Sequence, residues 1–344
     1  MNTDRNITFD IAKGIAIILI VLGHIRNGVT DTPLDSVISF INYFHVAVFF
    51  VISGYFVSPL RGWKDYLVKK AKRLALPYLA VNALLMLLDI LVCSIVSHSF
   101  QLPSVKDIVR AFAGIDPFRL AIPTWFLMTL FYVSVIYKLI YNVCRNNVRI
   151  AFLASVLISI ICFIVQNHSS ISGVVFATRV TVSLGFFSIG HLLHERIGYM
   201  IDKISTKTSV LSFMVSFAFL LVLYFVIEYR VSFYWLKGYN IFLTYLSGIS
   251  GTIMIISISA LIGAFVKKMN GSLIFIGRNS MPILLWHYVV FAALSALLFG
   301  GNLLSVMDSV CIDPGHGRWI LYLVFGVAVP ILPAILQHNM RRIV

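Results

Sequence analysis

Long apolar runs, separated by short polar and basic stretches, recur along the whole 344-residue chain. A helix needs about 20 mostly apolar residues to cross a bilayer. Ten segments come near that length: 8–26, 37–58, 74–97, 122–143, 149–166, 179–195, 208–228, 239–264, 281–299 and 319–337. The pattern predicts an all-α integral membrane protein, a bundle of about ten transmembrane helices forming one domain over residues 1–344. The connections are short, the longest being 98–121 and 300–318, which leaves no room for a separate soluble domain.

Composition agrees. The chain is 60% hydrophobic and 12% charged, against about 45–50% and about 25% in soluble domains. A net charge of +14 on a soluble protein would suggest nucleic acid. Here no basic patch with stacking aromatics lies outside the spans, and the excess follows the positive-inside rule. With both termini in the cytoplasm, most of the 27 lysines and arginines fall on the cytoplasmic side. Cys93, Cys144, Cys162 and Cys311 form no C-x-x-C pair, so neither a disulfide framework nor a metal site is expected. The N-terminus runs from a short polar head into a span without an A-x-A-like site, so no cleaved signal is expected.

Against this apolar background a few polar residues stand out. An ionisable side chain within a span is costly and marks a functional site by default. The first segment carries Arg5 beside it and Asp10, Lys13 and His24 along it. Asp10 and His24 share one stripe but lie about 21 Å apart along the axis, so the stripe lines a passage and the two do not touch. His24 is the candidate general base, because imidazole titrates near neutrality. Asp89 reaches a similar depth on the third segment and could orient the ring, as could Glu228. Asp10, His24 and Asp89 are the catalytic candidates.

Lys69-Lys70-Ala-Lys72-Arg73 enters the third segment from the cytoplasm. Lys70 and Arg73 share a helix face and suit phosphate groups, although plain anchoring to lipid head groups fits the same charges. Asn279-Ser280-Met281-Pro282 reads as an N-cap with proline near the first turn, a start that can bind an anion. His45, Trp125 and His287 are candidate substrate contacts. Ser53-Gly54 reads as a helix-packing element.

These motifs, in order, resemble the acyltransferase-3 family of integral-membrane O-acyltransferases, in its short members without an appended extracellular domain. The resemblance rests on Arg5, Asp10, Lys13-Gly14 and His24; Phe44-His45, Phe49-Phe50 and Ser53-Gly54-Tyr55; Arg73-Leu74 and Pro77-Tyr78; Trp125-Phe126-Leu127; and Gly277, Asn279-Ser280 and His287. It implies transfer of an acyl group, usually acetyl, from cytoplasmic acyl-CoA to a hydroxyl of a cell-envelope glycan or lipid-linked saccharide. It also implies a multi-pass protein of the bacterial inner membrane in contact with membrane lipid, without a metal, and as a possible homo-oligomer. Arg5, Lys70, Arg73, Asn279 and Ser280 would hold the acyl-CoA. Where family members carry paired arginines at the base of helix three, this chain has Lys70 and Arg73. Direct transfer and an acyl-enzyme route both fit, and a carrier or flippase for a glycan intermediate is the alternative from another class.

Overall fold

The computed structural model describes residues 6–25, 33–97, 102–169, 171–198, 204–228, 231–234, 236, 240–299 and 318–343. Among these residues every regular element is helical. In chain order they are α1 (Ile7–Gly23), α2 (Pro33–Ile41), α3 (His45–Tyr55), α4 (Trp63–Lys70), a π-helical turn (Ala71–Ala75), α5 (Leu76–Ser97) and α6 (Val105–Phe112). A 3-10 turn (Arg119–Thr124) then leads into α7 (Trp125–Val143), α8 (Val148–Asn167), α9 (Ser172–Ile197), α10 (Thr206–Phe225), α11 (Ile241–Phe265), α12 (Lys267–Arg278), α13 (Ser280–Phe299) and α14 (Trp319–Ile343). Nine stretches of the described residues are long and apolar enough to cross a bilayer. The remaining predicted segment is α1, with 17 residues, the lower end of the spanning range of about 17–25.

The distribution of apolar side chains is that of a protein in lipid. On α8, Ile150, Leu153, Leu157, Ile161 and Ile164 form an exposed stripe, while Ala151, Ser155 and Ser159 are buried against the bundle. This inverts the soluble pattern: small and hydroxyl residues pack between helices, and large aliphatic ones face outward. The Ser155 hydroxyl is satisfied by the Ala151 carbonyl. By contrast α3 is buried on nearly every face, and with α1, α7 and α9 it forms the centre of the bundle.

Glycine sets two of the central crossings. A Cβ on Gly54 would collide with the Phe187 backbone carbonyl, and one on Gly190 with that of Val51, so α3 and α9 cross backbone to backbone. The same holds for α1 and α12, where Gly277 lies against the Asp10 carbonyl and Gly14 against that of Leu273.

Three local features depart from the sequence reading. The second span is broken at Asn42–Phe44, giving α2 and α3 instead of one rod. Helix α1 ends at Gly23, so His24 is its C-cap, with its backbone N–H bonded to Ile20 and Val21; it does not lie deep in the apolar run. Helix α12, taken as a loop, is a full helix packed on α1. Asn279, which directly precedes α13, also closes the end of α12: its side-chain amide donates to the Phe275 carbonyl at 2.8 Å.

Replacing Gly54 or Gly277 by alanine is expected to lower stability by about 1–3 kcal/mol, the range for overpacking. Thermal unfolding of the purified protein in detergent checks this. Gly173→Ala, whose Cβ would meet open space, is the control, with a melting temperature unchanged or slightly raised.

Candidate active site

Two cavities adjoin along α1, α3 and α13, and a third lies past the end of α3. The first is lined by His24, Asn42, His45, Trp125, Phe126 and Tyr234 among others. The second is lined by Lys13, Ser53, Leu74, Leu127, Ser280 and Met281 and is mostly apolar. Both touch Ile20, Phe126 and Leu284, so they adjoin. The third holds Phe56, Arg61, Tyr66, Lys69, Lys70 and Arg73; it shares no lining residue with the second, although Leu74 of the second follows Arg73 in the chain.

Helix periodicity explains why the first two form one crevice and why the same face of α3 leads on toward the third. On α1 the lining residues are Lys13, Ile17, Ile20 and His24; on α3 they are His45, Phe49, Ser53 and Phe56. Steps of three and four residues keep each set on one face. The passage from Lys13 to His24 spans about 16 Å. The π-helical turn over Ala71–Ala75 re-aims the helix within the basic motif, a position where such turns often mark function.

At one end of the crevice, His24 Nδ1 lies 3.1 Å from His287 Nε2. The other nitrogen of His287, Nδ1, lies 2.8 Å from the Ile283 carbonyl oxygen. A carbonyl only accepts, so His287 Nδ1 carries the hydrogen. In the neutral ring Nε2 is then an acceptor, and His24 must donate to it from Nδ1. The lone pair of neutral His24 is thereby placed on Nε2. His287 is fully buried, which fixes its ring. His45 uses the same device, with Nδ1 donating to the Ile41 carbonyl at 2.7 Å, which also accepts the Phe44 backbone N–H at the break between α2 and α3.

The structure brings together His24, His45, Trp125 and His287 of the sequence candidates, and separately Lys70 and Arg73. Ser280 lines the apolar second cavity. Asp10 is buried and salt-bridged to Lys13 at 2.7 Å and Arg278 at 2.9 Å, locking α1 to the end of α12 far from His24. Asp89 is not beside His24; it lines a different pocket with Cys93, Asp107, Arg110, Asp116 and Arg119. Glu228 is exposed at the end of α10. Arg5 lies outside the described residues.

One feature of the wall was missed. Arg179, 2% exposed, stacks on Tyr234 at 4.2 Å and Trp125 at 5.2 Å, bracing two rings that line the histidine cavity. The Tyr234 hydroxyl lies 3.4 Å from an Asp116 carboxylate oxygen, to which it donates. Burial, with the Asp116 carboxylate adding to it, pushes the Tyr234 phenol up from its ordinary value against the opposing Arg179 charge. The signal for Arg179 was available: an arginine inside an apolar run.

Residues 6–336 match the family model described as an acyltransferase domain, acyltransferase-3. The chain belongs to the acyltransferase-3 family. Comparisons with curated proteins and with solved structures returned no match. The protein is therefore a multi-pass membrane acyltransferase. His287→Phe is expected to lower kcat by about 10²–10⁴-fold, the range of general acid–base contributions, because it removes the acceptor that fixes the His24 tautomer. Acyl transfer to the native acceptor in isolated membranes, normalised to protein amount, checks it.

Proposed function

We propose that the protein moves an acyl group, acetyl in the simplest case, from cytoplasmic acyl-CoA to a hydroxyl of an envelope glycan or lipid-linked saccharide, in the inner membrane of a bacterium. The observation that carries this reading is the order of three cavities: a cationic one past the end of α3, an apolar one whose lining begins at the next residue in the chain, and one holding histidines that adjoins the apolar one along α1. A donor with a polyanionic head, a long thin arm and a thioester at its tip has that same order of chemistry. Lys70 and Arg73 hold the phosphates, the arm runs between Lys13 and Ile20, and the thioester reaches His24. With both termini in the cytoplasm, the basic mouth opens inward and the acceptor arrives from the other face.

His24 Nε2 takes the acceptor's hydroxyl proton as the oxygen attacks the thioester carbonyl. The imidazolium then has N–H on both nitrogens. Its Nδ1–H stays on His287, which disperses the new charge, and the proton on Nε2 passes to the departing thiolate. A C–O bond forms, a C–S bond breaks, and the free thiol of CoA leaves. The aromatic wall of Trp125, Phe126 and Tyr234 suits a sugar ring, which presents apolar C–H faces between its hydroxyls, and His45 Nε2 is an acceptor for a further hydroxyl.

His24→Ala is expected to abolish acylation while membrane levels of the protein stay normal; mass spectrometry of the envelope glycan, which reads a loss of one acyl mass, checks it. Unaltered acylation in a well-expressed His24→Ala strain overturns the base role. Lys70→Ala combined with Arg73→Ala is expected to raise KM for acyl-CoA at least tenfold, with kcat little changed. An unchanged KM assigns the cluster to lipid anchoring.

A further inference from the structure

Lys138, near the end of α7, reads in sequence as one more cytoplasmic-side lysine. In the fold it is 2% exposed. Its Nζ donates to the carbonyl oxygens of Pro59 at 2.7 Å and Arg61 at 2.6 Å. The same ammonium lies 4.9 Å from the Trp63 ring centroid and 5.1 Å from that of Tyr66. A buried ammonium costs several kcal/mol in desolvation, and an apolar side chain would pack α7 against this loop at less cost. What the cation adds is a grip on two carbonyls, which fixes the backbone of the 57–62 loop between α3 and α4. Tyr66 is held by the same stretch of α7, its hydroxyl donating to the Ser134 carbonyl at 2.9 Å.

That loop carries Arg61 into the basic cavity beside Lys69, Lys70 and Arg73, and among the described residues no carboxylate lines this cavity. Arg61 and Arg73 both repel the Lys69 ammonium. Four cations gathered against their mutual repulsion, one of them on a loop pinned from beneath by a fifth, form a site arranged for a multiply charged phosphate ligand.

We propose that Arg61 is a further phosphate-binding residue of the donor site and that Lys138 is the buried positioning residue that presents it. The ligand is the phosphorylated, nucleotide end of the acyl donor. The inference rests on the donor assignment made above, and the test separates the two.

The full chain, in nanodiscs of zwitterionic lipid that offer no anionic head group, is titrated with CoA by calorimetry. The wild-type chain is expected to bind saturably. Arg61→Ala weakens Kd about tenfold, the worth of one exposed charge-assisted contact, and Lys138→Met weakens it by a similar factor. The double variant binds about as the singles do, because both act through one contact; independent sites would multiply. Lys138→Gln, which keeps an N–H donor for the carbonyls, recovers part of the affinity. Absence of CoA binding by the wild-type chain removes the donor assignment and this inference with it. Wild-type binding with Arg61→Ala unaffected overturns the inference and leaves the donor assignment standing, and because Arg61 is exposed that variant reads the outcome even if Lys138→Met does not fold. A Lys138→Met protein with a lower melting temperature but an unaltered Kd makes Lys138 structural only and overturns its positioning role.

Discussion

The hydrogen bond between His24 and His287 is the constraint on which the functional account turns. It is a short chain of three groups: the Ile283 carbonyl, the His287 ring and the His24 ring. Each link fixes the direction of the next, since a carbonyl has no proton to give. The consequence is a defined tautomer at His24, with its basic nitrogen at Nε2, in a cavity bounded by aromatic rings. A carboxylate is the familiar orienter of a catalytic imidazole. In the proposed mechanism a second imidazole anchored on a carbonyl takes that place without burying a negative charge.

The geometry at the other end of α1 makes that bond possible. The Asp10–Arg278 ion pair and the backbone contact at Gly277 dock α1 against the end of α12. Helix α13 begins immediately afterwards, at Ser280. From that docked region α13 leads back along α1, with Leu284 and Ile20 lining the same two cavities before the His24–His287 contact. The Asp10 side chain thus acts on the histidine end through the placement of helices, with no contact to it. The carboxylate is buried, and its two cationic partners offset the cost of removing it from water.

Much of this was legible in the sequence, and the failures have physical causes. Nine of the ten spans follow from hydropathy alone, because a lipid-facing helix must be apolar whatever its packing. The shortfall came where burial by protein replaces burial by lipid. Helix α12 packs on α1 and carries polar residues, so it reads as a loop. The break at Asn42–Phe44 lies inside a segment apolar enough to read as one span, and its cost is offset by a side chain, His45, that no periodicity reveals. His24, Lys70 and Arg73 stood out as candidates because charges are rare in such a chain. The partner of His24 was sought among carboxylates, at Asp89 and Glu228, and the ring that meets it, His287, had been read only as a substrate contact. Lys138 and Arg179 were counted as topology markers, yet both are buried cations gripping carbonyls and aromatic rings.

The most direct test of the account is the protonation pattern of His24 itself. Solid-state NMR of the full chain in lipid, with ¹⁵N-labelled histidine and His24→Gln used to assign the signal, reads each ring nitrogen at neutral pH. The account predicts a protonated Nδ1 and an unprotonated Nε2 at His24, with that pattern lost when His287 is replaced by phenylalanine. A neutral His24 protonated at Nε2 in the wild-type chain, or a tautomer indifferent to residue 287, would contradict it.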